Sequence, residues 1–300
     1  MNKSDLLTII EIPRNVSSEL IGYEFLADLN FRTYNLKNSM VTINFINNDL
    51  FEENLCSTLG SIIDDLKQRG NLVVVIGLQE NIEDTFKKNG FYKIISPEHI
   101  SEINYSKIIE FKKFRLEEIV AFQKYLDEQL LTRDDLPIMS ELLRKKINKS
   151  ILEIFNNAHI HGGCEHIYTS GLYSVREKVL KFSISDMGVT IRKNVNLFFG
   201  SGRKIDGKNS ITWAVEEGHT TRKGKIPGGL GLSLIREFLT LNKGTIQIIS
   251  SDGFWQEKSG IAFTKNLKKS FLGTIVNFEF NLNDDNYYVL ASELNVNNVL

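Results

Sequence analysis

The 300-residue sequence has few cysteines and no long apolar run, and its charges nearly cancel. Its two cysteines, Cys56 and Cys164, lie in different halves of the chain, so no disulfide framework is expected. No apolar run approaches the roughly 20 residues that span a bilayer, and the first residues do not resemble a secretory signal. A formal net charge of −1 gives no general attraction to nucleic acid or anionic membranes. We therefore expect a cytoplasmic protein without nucleic-acid or membrane partners.

The composition is that of an ordinary globular protein. Hydrophobic residues make up 42% of the chain, which is enough for packed cores, and charged residues make up 24%. The length favours two domains of ordinary size.

Apolar residues recur at mostly three- and four-residue steps from Met139 to Ala158, which predicts an amphipathic helix. A first short motif lies late in this helix, at residues 150–158. Glu153 and Asn157 are four positions apart, so they share one face of that helix. Asn157 offers a side-chain oxygen of the kind that Mg²⁺ prefers. Glu153, one turn earlier, can polarise a water or a hydroxyl beside a terminal phosphate. The alternative is a solvated glutamate and an ordinary polar residue near a helix end.

A second motif follows the apolar run 179–184. There Asp186 stands at the exit of a predicted strand, and Gly188 lets the chain turn. A carboxylate at this position is a suitable acceptor for an exocyclic amine such as adenine N6, and glycine leaves room for a flat base. The alternative is a simple Asp-Gly turn.

A third motif is a glycine cluster that opens a predicted helix, Leu230–Leu241. Gly228, Gly229 and Gly231 let backbone N–H groups approach phosphate without side-chain obstruction, and the helix N-terminus favours negative charge. The lysine and the spacing of a Walker loop are absent. A flexible turn is the alternative for the cluster taken alone, but the three motifs in this order favour a nucleotide pocket.

Over about residues 138–284 the chain resembles the GHKL ATPases, named for gyrase, heat-shock chaperones, histidine kinases and MutL. Glu153 and Asn157 match the N box of that family, and Asp186 and Gly188 match its G1 box. The resemblance implies ATP and Mg²⁺ as ligands, with Glu153 as the general base and Asn157 as the metal ligand.

The remaining GHKL boxes follow in order. The G2 box is matched by a run of four residues, Gly229, Leu230, Gly231 and Leu232. Residues 273–280 resemble the closing strand, whose Thr274 would join Asp186 around adenine. The G1 box of this chain has Thr190 where many members of the family have a second glycine. The conformation of the local turn is therefore not implied by the resemblance. The resemblance implies a Bergerat fold, a mixed sheet covered on one face by helices, with a mobile lid over ATP.

The lid is expected between the second and third motifs. Residues 200–209 are polar and rich in glycine, and residues 211–215 predict a short helix ended by Gly218. Cations and hydroxyls that could neutralise a γ-phosphate follow this helix, namely Thr220, Thr221, Arg222, Lys223 and Lys225. The alternative is a basic solvated loop.

The first hundred residues alternate between predicted strands and helices. The strands are expected at residues 6–12, 40–46, 72–78 and 91–95, and the helices at 17–31, 54–69 and 82–89. This alternation with short loops predicts a βαβ-rich α/β domain.

This half resembles a STAS domain, the fold of anti-anti-sigma factors, at residues 41–45, 50–55, 70–75 and 86–91. Phosphorylated STAS domains carry Asp-Ser-Ser or a similar group at the start of the second helix, where this chain has Glu52 and Glu53. The departure implies either a domain that is not a phosphorylation substrate or one with a fixed phosphate-like charge. An acidic first helical turn favoured by the dipole is the plainer alternative.

A charged but periodic segment, residues 114–131, predicts a helix that connects the halves. We therefore expect a STAS-like domain over 1–110, the connector and the GHKL domain over 111–284, and a peripheral tail over 285–300. The apolar edge of the connector helix suits either a homodimer contact or packing against its own domain.

Three functions follow from these expectations. The first is an ATP-hydrolysing conformational switch that acts on a protein partner. The second is a protein serine/threonine kinase of the partner-switching type that phosphorylates a separate STAS-like partner. The third is a nucleotide-sensing module without turnover, which would not require Glu153 as a base.

Overall fold

The protein is described by a computed structural model that covers residues 7–98, 108–158, 163–200, 202, 204–216, 218–219 and 230–294. Across these ranges, none of the helices combines the length and the apolar character that crossing a bilayer requires.

The N-terminal half is an α/β unit built on a three-stranded parallel sheet in the order β1-β3-β5. Its strands are β1 Leu7–Glu11, β2 Asn15–Val16, β3 Met40–Asn44, β4 Leu50–Phe51 and β5 Leu72–Ile76. Its helices are α1 Leu20–Thr33, α2 Cys56–Gln68, α3 Glu80–Lys88 and α4 Tyr92–Ile95, with a 3₁₀ turn at Glu53–Leu55 before α2. The predicted alternation of strands and helices is confirmed.

The strand expected at residues 91–95 is wrong, because this segment is the short helix α4. Phe91 is fully buried, with its ring centroid 4.7 Å from that of Phe86. The amide of Ser96 donates to the carbonyl of Tyr92 at 2.8 Å, which closes one helical turn. A short apolar run has no periodicity that separates strand from helix, so the tertiary contacts of Phe91 decide.

The C-terminal half is built on a five-stranded sheet in the order β10-β11-β9-β8-β6. The strands are β6 Ile109–Arg115, β7 Ile138–Met139, β8 His166–Ser174, β9 Val179–Asp186, β10 Thr245–Lys258, β11 Ile261–Asn281 and β12 Tyr287–Tyr288. The helices are α5 Ile119–Leu126, α6 Glu141–Asn157, α7 Ile191–Phe199, α8 Gly207–Val215, α9 Leu230–Leu241 and α10 Ala291–Leu294, with a π-helical turn at Asp127–Leu131.

Every pair of neighbouring strands in this sheet is antiparallel. The expectation of a mixed sheet is therefore wrong for the strands described. Two of the four pairs, β8–β9 and β10–β11, join strands consecutive in the chain through short turns, which impose antiparallel pairing.

Two helix boundaries also differ from the expectation. Phe114 lies in strand β6, and the connector helix begins only at Ile119. Met139 belongs to the short strand β7, because the next helix starts after Ser140, whose side chain accepts a hydrogen bond from the Leu143 amide. An N-cap of this kind fixes a helix start that apolar periodicity alone places too early.

The C-terminal tail is not wholly peripheral. Strand β12 pairs in parallel with β7, and Tyr288 is only 8% exposed. The ring of Tyr288 packs edge-on against Phe238 at 5.1 Å between centroids. Residues 287–288 therefore close one end of the helical core.

The two faces of the five-stranded sheet differ in chemistry. Leu180, Phe182 and Ile184 of β9 point to one face, where they join a core with α5, α6 and α9. The alternate residues Lys181 and Ser183 point to the other face. Such alternation is typical of a sheet with one face toward water.

In this protein the polar face is also covered, because helices α1 and α2 of the N-terminal half pack on β8, β9 and β11. The helices of the C-terminal half cover one face, as expected, and the second face is covered by the N-terminal half. Polar groups meet across the junction. The amide of Ser57 donates to Ser170 Oγ at 2.8 Å, and Asn54 Nδ2 donates to Asn277 Oδ1 at 2.9 Å.

Glu52, expected from its sequence position to mimic a phosphate or to favour a helix dipole, forms an ion pair with the sheet. Lys181 Nζ lies 2.9 Å from Glu52 Oε1, and the amide of Ser18 donates to Glu52 Oε2 at 2.8 Å. The side chains of Lys181 and Glu52 are 8% and 12% exposed. The neighbouring Glu53 is also withdrawn from water, and burial raises its pKa to about 7. The acidic segment thus joins the two halves.

Loss of one partner of this ion pair should destabilise the junction. Lys181→Met should lower the free energy of unfolding by about 3 kcal/mol or more, because it leaves Glu52 buried without a counter-charge. Adding Glu52→Gln should recover most of that loss. Urea denaturation measures both, and Lys145→Met, which breaks the exposed pair with Glu141, is the control expected to change little. A loss as small as that of the control would show that the buried pair does not hold the halves together.

Candidate functional site

The centre of the candidate site is Asp186, the last residue of β9. In the sheet it lies between Thr274 of β11 and Ile167 of β8. Asp186 is 7% exposed, and its Oδ1 accepts a hydrogen bond from the Gly188 amide at 2.8 Å. Burial raises the pKa of this carboxyl to about 7, although backbone hydrogen bonds from Gly188 and Thr274 oppose the shift. An additional hydrogen-bond donor would therefore stabilise the charged form of this carboxylate.

Gly273 allows β11 to approach Asp186. A Cβ atom at this position would lie 2.0 Å from the carbonyl oxygen of Asp186. No side chain fits at that distance, so the glycine is required for Thr274 to stand beside the carboxylate.

Ser250 of β10 forms hydrogen bonds with the segments around Asp186 and Thr274. It was not identified from the sequence. Its hydroxyl donates to the carbonyl of Gly273 at 2.9 Å and lies 3.1 Å from Thr274 Oγ1. It also accepts the amide of Ile191 at 2.9 Å, which ties helix α7 to the sheet. The only signal in the sequence is a buried serine that interrupts the apolar run of β10, and its partners are evident only from the strand register.

Thr190 has a local structural role. It is the N-cap of α7, and its side chain accepts a hydrogen bond from the Lys193 amide at 3.3 Å. Its backbone is extended, with φ of −69°, so the turn does not need the glycine that many GHKL proteins have here. The presence of threonine at this position of the G1 box therefore does not disturb the turn after Gly188.

Helix α6 carries Glu153 and Asn157, and both side chains are half-buried. The end of this helix is connected to the carboxylate site through Cys164. The Cys164 thiol donates to the carbonyl of Ala158 at 3.7 Å. Burial raises the pKa of this thiol to about 12, and the charge of Asp186 adds to the shift. The last turn of α6 therefore lies on the Asp186 side of the sheet.

Of the glycine cluster expected to contact phosphate, the structure describes only the part that begins with helix α9. Leu230 and Gly231 are its first residues, and Leu232 packs against the helical core. Helix α9 lies beside α6. Seven other predicted contacts lie outside the described residues, namely Thr220, Thr221, Arg222, Lys223, Lys225, Gly228 and Gly229. Asp186, Gly188 and Thr274 meet directly, whereas α6 and α9 pack against each other and share the helical core with β9.

Comparison with known proteins points to one class of relative. No protein-family model matches the chain. A 143-residue stretch is 29% identical to hybrid signal transduction histidine kinase D of Dictyostelium discoideum, over 45% of this chain and 8% of that protein. The chain therefore spans a small part of the curated relative that it matches.

Two solved structures of the catalytic domain of histidine kinase ThkA are also similar. Both are 16% identical to this chain. The first covers 59% of this chain and 99% of its own length at a TM-score of 0.26, and the second covers 57% and 97% at 0.25. TM-scores this low support no inference about fold. The relative is thus a histidine kinase, and the two structures are of a histidine kinase catalytic domain. The STAS-like character of the N-terminal half is not confirmed by these similarities and stays a prediction.

Replacement of the buried Asp186 carboxyl by a neutral group should stabilise the protein. Its pKa of about 7 lies above the ordinary value of 3.8, so the wild type loses stability as pH rises between these values. Asp186→Asn should therefore raise the free energy of unfolding at pH 8, by about 4 kcal/mol at most, and change it little at pH 4. Urea denaturation across this range measures the effect.

Asp285→Asn, at an exposed carboxyl, is the matched control for charge removal. A difference between Asp186→Asn and the wild type that stays constant from pH 4 to pH 8 would contradict a raised pKa at Asp186.

Proposed function

We propose that this protein is an ATP-binding regulatory protein of GHKL type. The observation that carries the proposal is the buried Asp186 carboxylate beside Thr274, at the exit of strand β9. Backbone amides fix its orientation, and burial raises its pKa to about 7. The exocyclic amine of adenine would supply the additional donor that stabilises the charged form.

The groups around Asp186 fit a flat base followed by phosphates. Gly273 lets β11 pack directly against Asp186, the half-buried Gly188 forms the turn after it, and Thr274 adds a hydroxyl. Helix α9 begins at Leu230, next to α6, and its N-terminus favours an anionic group. These features support ATP binding with the adenine at Asp186 and the phosphates toward α9.

Helix α6 would provide the groups for the metal and the chemistry. Asn157 lies in its last turn, and an amide oxygen there suits Mg²⁺, which neutralises phosphate charge when bound. Glu153 is one turn earlier on the same face, where a carboxylate could orient a nucleophile toward a γ-phosphate. These roles rest on the resemblance and on the position of α6 beside the site.

Of the three reactions expected from the sequence, we favour ATP hydrolysis coupled to a change in the N-terminal half. Glu52 stands where a phosphorylated STAS domain would carry its acceptor, and it is engaged by Lys181. The N-terminal half therefore lacks an acceptor at this position. Transfer of phosphate to a separate protein partner is the second candidate, because the curated relative is named a histidine kinase.

Nucleotide binding is tested first. Asp186→Ala should weaken the binding of ATP by ~1.5–3 kcal/mol, because a hydrogen bond to a charged group is lost. Titration calorimetry measures this, with Asp285→Ala as the exposed control. Asn157→Ala should weaken binding only in the presence of Mg²⁺. Unchanged affinity in Asp186→Ala would remove Asp186 from the site, and an equal loss with and without Mg²⁺ would remove Asn157 as the metal ligand.

Chemistry is tested at Glu153. Glu153→Ala should leave ATP affinity nearly intact and lower turnover roughly a hundred-fold or more, as expected for loss of a general base. Release of phosphate and labelling of candidate protein partners, both with Mg²⁺-ATP, are the measurements. Glu165→Ala, at another glutamate of the same half, is the control.

The outcomes separate the three functions. Phosphate release without a partner supports the switch, and labelling of a second protein supports the kinase. Turnover in Glu153→Ala equal to that of the wild type would contradict the base assignment. Binding without either reaction would favour the nucleotide-sensing module.

A further inference from the structure

We infer that helix α1 of the N-terminal half is part of the nucleotide site, with Asn30 as a positioning residue for the strand segment that carries Thr274. The inference rests on the proposed ATP site at Asp186. It goes further, because it assigns a function at that site to the other half of the chain.

The strand segment before Thr274 is a bulge. In the β10–β11 ladder, Ser250 pairs with Thr274 but the next residue, Ser251, pairs with Phe271. Leu272 and Gly273 are therefore extra residues on β11, and they have no partner in this ladder. Bulges of this kind turn a strand locally and set the direction of the next side chain, which here is Thr274.

Asn30 accepts a hydrogen bond from the backbone amide of Leu272, which has no partner in the β10–β11 ladder. Its Oδ1 accepts a hydrogen bond from the Leu272 amide at 2.8 Å, and Asn30 is fully buried. A buried N–H group without an acceptor is costly, so the bulge depends on this oxygen. The two residues are 242 positions apart, on α1 and on β11.

Helix α2 contacts the segment around Asp186 from the face of the sheet that the N-terminal half covers. Ser61 Oγ of α2 lies 3.2 Å from Ser185 Oγ, one residue before Asp186. Met187, one residue after Asp186, packs against the core shared with the N-terminal half. The segments on both sides of the proposed adenine position, at Asp186 and at Thr274, are therefore held by α1 and α2.

This arrangement predicts coupling between the two halves. If the position of α1 changes the affinity for nucleotide, nucleotide must change the docking of α1 by the same factor. A ligand that orders Asp186 and Thr274 would tighten the junction, and loosening of the junction would release the ligand. The N-terminal half is thus positioned to sense or control occupancy of the site.

The test compares two buried asparagines of the N-terminal half. Asn30→Ala removes the acceptor for Leu272, whereas Asn89→Ala removes an equivalent acceptor for the Phe91 amide, at 2.9 Å, away from the site. Both should lower stability. Only Asn30→Ala should weaken ATP and ADP binding, by about tenfold and equally for both, since the change lies at the adenine end. Thermal denaturation and titration calorimetry measure the two effects.

A conservative variant separates positioning from general damage. Asn30→Asp keeps an acceptor oxygen for the Leu272 amide, and Asn30 Nδ2 has no hydrogen-bond partner among the described residues. This variant should bind nucleotide nearly as well as the wild type, even if its stability is lower.

Hydrogen exchange of the wild-type protein supplies a measurement that needs no variant. Saturating ATP should slow exchange in α1 and at Leu272 but not in α3, which belongs to the same half and lies away from the sheet. Equal nucleotide affinity in Asn30→Ala and Asn89→Ala, or no slowing in α1, would overturn the inference while leaving ATP binding intact. Failure of the wild type to bind either nucleotide would instead overturn the proposed function, and the inference with it.

Discussion

The fold depends on burial of the polar face of a sheet. Strand β9 gives Leu180, Phe182 and Ile184 to an apolar core, and its alternate residues, including Lys181, face the N-terminal half. A buried ammonium group is tolerated only with a counter-charge and hydrogen bonds, and Glu52 supplies the charge. Since ion pairs and hydrogen bonds are directional, the N-terminal half has one register in which the polar groups of both sides are matched. Apolar residues of the sheet, among them Ile249, Phe254 and Ile275, also pack in this junction, but apolar burial has no direction and does not set a register.

The same junction shapes the candidate site. Asp186 stands at the end of the strand that carries Lys181, and the alternation of β9 directs its side chain to the opposite face, whereas the flanking Ser185 and Met187 contact the N-terminal half. A buried carboxyl with a raised pKa costs stability, and such costs are found where a site is kept ready for a ligand. If Asp186 binds the proposed nucleotide, ligand affinity and folding stability are opposed at this residue, while the hydrogen bonds of Ser250 and Asn30 hold the neighbouring segment in place.

Local periodicity predicted much of the architecture. The strand before Asp186, helix α9 and the alternating elements of the N-terminal half follow from spacing of apolar residues and from glycine positions. The failures share one cause. Phe91, which precedes the helix at residues 92–95, packs against Phe111 of β6, and Met139 forms a strand because β12 pairs with β7. A residue whose partner lies far along the chain carries no local signal of its state.

The sequence by itself determined the chemistry of the site: a carboxylate at Asp186, a turn at Gly188, a helix start at Leu230 and a Glu153–Asn157 pair on one helical face. These are properties of short segments, set by backbone propensity and side-chain type. Only the tertiary structure decided that Ser250 stands beside Thr274, that Asn30 supports Leu272 and that Glu52 meets Lys181. Strand register and domain docking are set by the simultaneous satisfaction of many distant groups, and no single segment of the chain contains that information.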